Sequence, residues 1–211
     1  MPSQKVLQTI QSLSKISSPG PTPAYTTIHV LRTLLCIGDE GHIGRIELSR
    51  KLGLGEGTVR TIIRHLVKAK VVAIEKDGCT LNPRGATLYK TLKLKLSQPF
   101  RINARQLALD KTSAAILVKA AGDFVRRGIE QRDAAVRAGA TGACTLIFRG
   151  GKLLMPMDEQ EDWTLQPNEL LYQDIEKTFT PKNNDVVMIV SAPSEDVAEQ
   201  GVVAAALTLI E

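Results

Sequence analysis

No run of about eighteen consecutive apolar residues occurs in this sequence, so no membrane-spanning helix is expected. The N-terminal stretch MPSQKVLQTIQSLSKISSPG lacks an uninterrupted apolar core and a small-residue cleavage site, which argues against a secretory signal and for a cytoplasmic protein. Cysteine is scarce: Cys36, Cys79 and Cys144 are an odd number, far apart, with no CxxC and no Cys/His pairing. That pattern excludes a disulfide framework and a zinc site, and predicts three small, buried, apolar side chains in a reducing compartment. The three histidines, His29, His42 and His65, have no metal-ligand spacing. GxSxG and HExxH are absent, and no paired carboxylates suggest acid–base work. The acidic run MDEQEDW lacks the alternating oxygens and central glycine of a calcium loop, and reads as an exposed loop around Trp163. No enzyme, metal or cofactor is therefore expected. There is no internal repeat, and low-complexity sequence is confined to SSPGPTP at residues 17–23.

What is present is the composition of a folded protein, with 43% hydrophobic and 23% charged residues over 211 positions, enough for one large domain or two modest ones. The net charge of +5 conceals an asymmetry. Residues 1–98 carry 15 Lys/Arg against 6 Asp/Glu, a net of +9, and residues 99–211 carry 12 against 16, a net of −4. A basic first part suggests contact with a polyanion, and an acidic second part a different task.

The spacer at 17–23 cannot continue a helix, and it sets a short amphipathic stretch at 6–16 apart from the rest of the chain. Ile28, Val30, Leu31, Leu34 and Leu35 then form a helical stripe ending near Gly38 or Gly41. Ile46, Leu48 and Leu52 suggest a short second helix stopped by Gly53. Val59, Ile62, Ile63, Leu66 and Val67, at spacings of three and four, mark the best-patterned helix of the chain. VVAIEK and CTLN come next as two short strands around the hairpin signal Asp77-Gly78, and RGATLYKTLKLKL reads as a helix carrying Leu88, Leu92 and Leu96, with the KLKLK cluster on its exposed side. After SQPFRIN the order becomes β-α-β-β-α-β-α: TSAAILVKAAG, IEQRDAAVRAGA, ACTLIFRGGKLLMPM as two strands turning at Gly150-Gly151, NELLYQDIEKTF, DVVMIVSA, and a closing helix with Ser194 as N-cap. We expect an α+β protein with two domains: 1–98, with its N-terminal extension, and 99–211, a small α/β sandwich with a split βαβ core.

GLGEGT, residues 53–58, poses the central question. A dinucleotide loop needs a strand before it, yet RIELSRKLGL has helical spacing, and glycines at 53, 55 and 57 spell neither GxGxxG nor GxxxxGK[ST]. The competing reading is a helix-turn-helix in which Gly53 is the left-handed residue ending the second helix and Leu54 packs into the core. Gly55 and Gly57 then let backbone approach a phosphate at the start of the third helix. The stretch IGRIELSRKLGLGEGTVRTIIRHLVKAKVVAIEKDGCTLNPRGATLY resembles the winged-helix transcription regulators over about residues 25–96. With IEQRDAAVRAGATGACTLIFRGGKLLMP after it, the chain also resembles an archaeal two-domain winged-helix family of unknown function with a small α+β second domain.

That resemblance implies a third helix in the major groove of double-stranded DNA and a hairpin, tipped by Lys76, Asp77 and Gly78, along the backbone. Thr58, Arg60, Thr61, Arg64 and His65 are the candidates on the polar side of the third helix, with Arg45, Arg50, Lys51 and Lys76 as backbone contacts. Arg60 and Arg64 lie one helical turn apart, and either could hold a guanine or meet a phosphate. In the second half, Arg127, Arg132, Asp133 and Gly142 could line a small-molecule effector pocket. Alternatively, and preferably on the residues alone, Ala134, Ala135 and Ala138 serve close helix–sheet packing while Arg132 pairs with an acid. The expected function is a sequence-specific, homodimeric DNA-binding regulator. Alternatives are a winged helix that binds protein or RNA, or one fused to a small-molecule enzyme such as the CTP-dependent riboflavin kinases.

Overall fold

The computed structural model describes residues 8–10, 12–13, 25–107, 110–157 and 163–210. It contains helices and two antiparallel sheets, and the chain divides into two units, residues 1–93 and 94–211. Of the amphipathic stretch at 6–16, the described residues are helical and bury Ile10 and Leu13. The Pro/Gly spacer at 17–23 and residues 158–162 of the acidic run lie outside the described residues.

In the first unit, helix α1 (Thr27–Glu40) buries Val30, Leu31, Leu34, Leu35 and Ile37, and Gly41 at φ 71° ends it. Helix α2 (Arg45–Leu52) stops at Gly53, whose φ 64° and ψ 27° are left-handed as expected, and the Leu54 amide donates back to the Ser49 carbonyl at 3.1 Å. Leu48 and Leu52 are buried there, one turn apart, and Leu54 is half-buried. Ile46 is not part of that stripe: it is 69% exposed. Residues two apart on a helix are separated by about 200°, so Ile46 and Leu48 cannot share a face.

Helix α3 (Glu56–Lys68) buries Val59, Ile62, Ile63 and Leu66, while Val67 is only half-buried. Each of those four buried side chains contributes about 1.5–3 kcal/mol relative to exposure. Strands β1 (Val72–Glu75) and β2 (Gly78–Leu81) pair antiparallel with Glu75 opposite Gly78, so the hairpin loop is Lys76-Asp77, one residue earlier than the Asp-Gly pair suggested. Gly78 serves another purpose: Ile43 bridges Cys79 as a third, one-residue strand, and a Cβ on Gly78 would lie 2.6 Å from the Ile43 carbonyl oxygen. Helix α4 (Pro83–Lys93) comes next, its Gly85 amide bound to the Asn82 side chain at 3.0 Å. It ends at Lys93 rather than running to Leu96. Residues 94–97 already belong to the second unit, where Lys95 and Ser97 pair by backbone with Lys119 and Leu117, and Leu94 is 71% exposed.

The second unit is a six-stranded antiparallel sheet in the order β3-β4-β8-β5-β6-β7, comprising β3 (Phe100–Arg101), β4 (Thr112–Val118), β5 (Gly142–Arg149), β6 (Lys152–Met155), β7 (Trp163–Leu165) and β8 (Val186–Ala192). Strands β4 and β5 run the same way, joined through helix α5 (Ile129–Arg137), and β8 lies between them antiparallel to both. That is a split βαβ unit. Helices α5 and α7 (Glu195–Leu207) cover one face, where Gly201 lets α7 press on Val190 and Ala140. Helix α6 (Leu170–Phe179) covers the other, its Leu171, Tyr172 and Ile175 packing with Ala115, Leu117, Leu146, Val187 and Ile189. With both faces covered, β8 is buried along its whole length, which explains its continuous apolar sequence. Ser194 caps α7 by accepting from the Val197 amide, and Gly150-Gly151 turn with φ of 56° and 76°. The short strands β3 and β7 carry no alternation in sequence, and only the sheet edges that they pair with reveal them.

Candidate nucleic-acid interface

Between α3 and the β1–β2 hairpin lies an open groove of about 530 Å³, lined by Arg45, Arg60, Ile63, Arg64, Ile74 to Cys79 and Gly44. Three segments distant in sequence meet there: the start of α2 brings Arg45, the polar face of α3 brings Arg60 and Arg64, and the hairpin loop brings Lys76. All four cations are exposed. The groove also holds Glu75 and Asp77, so the hairpin contributes two carboxylates beside its one lysine. Glu75 is partly engaged by the Thr80 hydroxyl, 3.0 Å away.

The remaining sequence-predicted residues fall less centrally. Thr58 is half-buried on α3, His65 is half-buried near its end, and the Thr61 hydroxyl donates to the Gly57 carbonyl at 2.9 Å. Arg50 is exposed on α2 and does not line the groove. Lys51 is held in an ion pair with Glu40, a hydrogen bond that raises its pKa above the ordinary lysine value. Arg45 lies 4.0 Å from Glu56 with both side chains about half exposed, a weak, solvent-screened pair that a phosphate could displace. Burial pushes the Cys36 thiol up to about 11 and the Cys144 thiol up to about 12, and raises Cys79 as well. Raised in this way, all three stay protonated at neutral pH, but only Cys79 is buried as the sequence suggested, while Cys36 and Cys144 are half-buried.

The N-terminus of α3 has a property of its own. Its N-cap, Gly55, has no side chain, and the first intrahelical bond runs from the Val59 amide to the Gly55 carbonyl. The amides of Glu56, Gly57 and Thr58 therefore have no intrahelical acceptor and lie at the positive end of the helix dipole. A Cβ built on Gly55 or Gly57 would meet nothing within 4 Å, and neither residue has a positive φ. The fold itself does not require glycine at either position.

Sequence reasoning missed Ile74, which is 62% exposed inside the groove. It shares a hairpin face with buried Val72 and Cys79, but the core ends before reaching it. Alternation reports the face, not where the cover stops. In the second unit, Arg132 pairs with its neighbour Asp133 at 3.0 Å, Arg127 is exposed, and Gly142 is buried at the start of β5 opposite Ser191. Ala135 is fully buried, while Ala134 and Ala138 are half-buried.

Fold and groove together define a helix-turn-helix backed by a hairpin, in a chain that also carries an α/β unit with helices on both sheet faces. Residues 109–209 match the profile of a domain of unknown function (DUF4443). The chain is similar to a hypothetical protein from Pyrococcus horikoshii OT3, at 26% identity with a TM-score of 0.69, over 88% of this chain and 92% of that one. A MarR family protein from Mycobacterium tuberculosis matches at 20% identity and a TM-score of 0.31, over 43% of this chain and 64% of that chain. An IclR transcriptional regulator from Alicyclobacillus acidocaldarius matches at 12% identity and 0.24, over 97% and 94%. No curated protein matches the chain.

Proposed function

We propose that this protein is a cytoplasmic, sequence-specific DNA-binding transcriptional regulator of the winged-helix type, which acts by binding rather than by catalysis. Helix α3 enters the major groove, the hairpin runs along the backbone, and the second unit serves effector sensing or dimerisation. The observation that carries this reading is the convergence of Arg45, Arg60, Arg64 and Lys76 on one groove, beside a helix N-terminus whose uncapped amides and bare glycines admit a phosphate. The +9 charge of residues 1–98 supports it from a distance, because a basic surface raises association with a polyanion. A homodimer suits the reading, since a two-fold operator is matched by a two-fold protein.

Electrophoretic shift against genomic fragments at moderate salt tests this directly. A subset of fragments should bind at least about a thousandfold more tightly than random duplex, as specific regulators do. Binding no tighter than to random duplex rejects the proposal.

Within this reading, Ile74 meets DNA as an apolar surface, against sugar or a thymine methyl. Ile74→Ala is expected to weaken binding severalfold while leaving the slope of log K against log salt unchanged, because every phosphate contact remains in place. Thermal stability should stay within about 0.5 kcal/mol of the parent, as for surface substitutions generally. Fluorescence anisotropy titrations at three salt concentrations separate the two effects.

A further inference from the structure

A second cavity lies within the C-terminal unit, about 400 Å³, lined by Arg101, Ile102, Asn103, Ala104, Arg105 and residues 110–113. That volume is in the range that holds small molecules. Three cations border it, Arg101, Arg105 and Lys111. Among the described residues neither Arg105 nor Lys111 forms an ion pair within 4.0 Å, although the Lys111 charge is felt by its neighbour Asp110, and Arg101 is tied to Glu195 at 3.5 Å, with both side chains more than half exposed. The one acid in the lining, Asp110, is committed elsewhere: the Thr141 hydroxyl donates to one carboxylate oxygen and the Lys111 amide to the other, each at 2.7 Å. Those two bonds hold its pKa below the usual value, so Asp110 stays ionised, and the lining's excess of positive charge comes from its three cations against this one carboxylate.

Ser113, in the lining, forms a buried pair of hydroxyls with Ser191. Ser113 is 6% exposed and Ser191 3%, and their oxygens lie 3.2 Å apart. Two hydroxyls bring two protons, and the contact between them uses one. The second proton has no acceptor among the described residues, and a buried donor without an acceptor costs about 1–3 kcal/mol. Cations at the rim and a spare O–H donor in the wall ask for the same chemistry.

We infer that this cavity binds a small oxyanion ligand, a carboxylate or phosphate compound, held by Arg105 and Lys111 at the rim and by the Ser113 hydroxyl in the wall, whose proton is free for the ligand when Ser191 donates to it. The site differs from the Arg127, Arg132, Asp133 and Gly142 set suggested by the sequence. It stands on the second unit alone and does not depend on the DNA-binding reading.

The test is calorimetric titration of the full chain with inorganic phosphate and, separately, with succinate, in chloride buffer at fixed ionic strength. At least one probe should bind the parent protein, and which one binds distinguishes a phosphate from a carboxylate ligand. The double variant Arg105→Ala/Lys111→Ala should weaken that binding about tenfold or more, and Ser113→Ala severalfold. Arg137→Ala, at an exposed cation on α5, should change nothing. Both rim residues are exposed, so the double variant is expected to fold normally, checked by its thermal transition. Absence of binding by either probe, or equal binding by the parent and the double variant, overturns the inference.

Discussion

Replacing Arg60 and Arg64 together by alanine is expected to lower specific DNA affinity about a hundredfold or more. Each arginine, as a bidentate base contact or a phosphate contact, is worth about 1–3 kcal/mol, and the two side chains project from the same face of α3 into one groove. The salt dependence distinguishes their roles. Removing a phosphate contact lowers the slope of log K against log salt by about one, whereas removing a base contact relaxes specificity at one operator position and leaves the slope intact. Both residues are exposed and alanine is a strong helix former, so stability should hold or rise slightly. Full affinity in the double variant, with its thermal transition unchanged, would mean that α3 is not the reading helix.

Two glycine-to-alanine changes near helix starts should give opposite results. At Gly85 an added Cβ would sit 2.0 Å from the Val71 carbonyl oxygen, a backbone atom that also accepts the Asn82 amide at 3.1 Å. Neither group can rotate away, so the hairpin and α4 must separate, and Gly85→Ala is expected to destabilise the first unit by about 1–3 kcal/mol or more. At Gly57 the added methyl meets open space on a helix with ordinary φ, so Gly57→Ala should stabilise by a few tenths to about 1 kcal/mol. If a phosphate does approach the α3 N-terminus, the same methyl should weaken DNA binding several-fold or more. Chemical denaturation measures the first pair of effects and anisotropy the last. A Gly57→Ala protein that is more stable and binds DNA as well as the parent would remove the phosphate from that helix end.

Much of the architecture is legible in the sequence because it rests on local rules. The α3 stripe at 59, 62, 63 and 66, the left-handed stop at Gly53, the Ser194 cap and the Gly150-Gly151 turn each depend on a few neighbouring residues. The departures share one cause. Ile46 is apolar and reads as a companion of Leu48, yet no tertiary partner covers its side of α2. The hairpin loop sits one residue early because Ile43, far back in the chain, closes against the residues at Gly78 and Cys79. Lys95 and Ser97 leave the helix because an edge of β4 is available to pair with.

The candidate site divides in the same way. Arginines on one face of a basic helix can be named from spacing alone, because helical geometry determines which side chains project together. That Arg45 and Lys76 join them, that Glu75, Asp77 and Ile74 share their groove, and that Lys51 turns instead to Glu40 are consequences of long-range packing.

By itself the sequence determined the helices, most of the strands and the basic character of residues 1–98, since periodicity, capping and charge act within a few positions. Only the tertiary structure decided which charges share a groove, which apolar residues stay uncovered, and where the second unit opens a cavity beside two buried serines. Those outcomes depend on distances between residues far apart in the chain, and no local pattern encodes them.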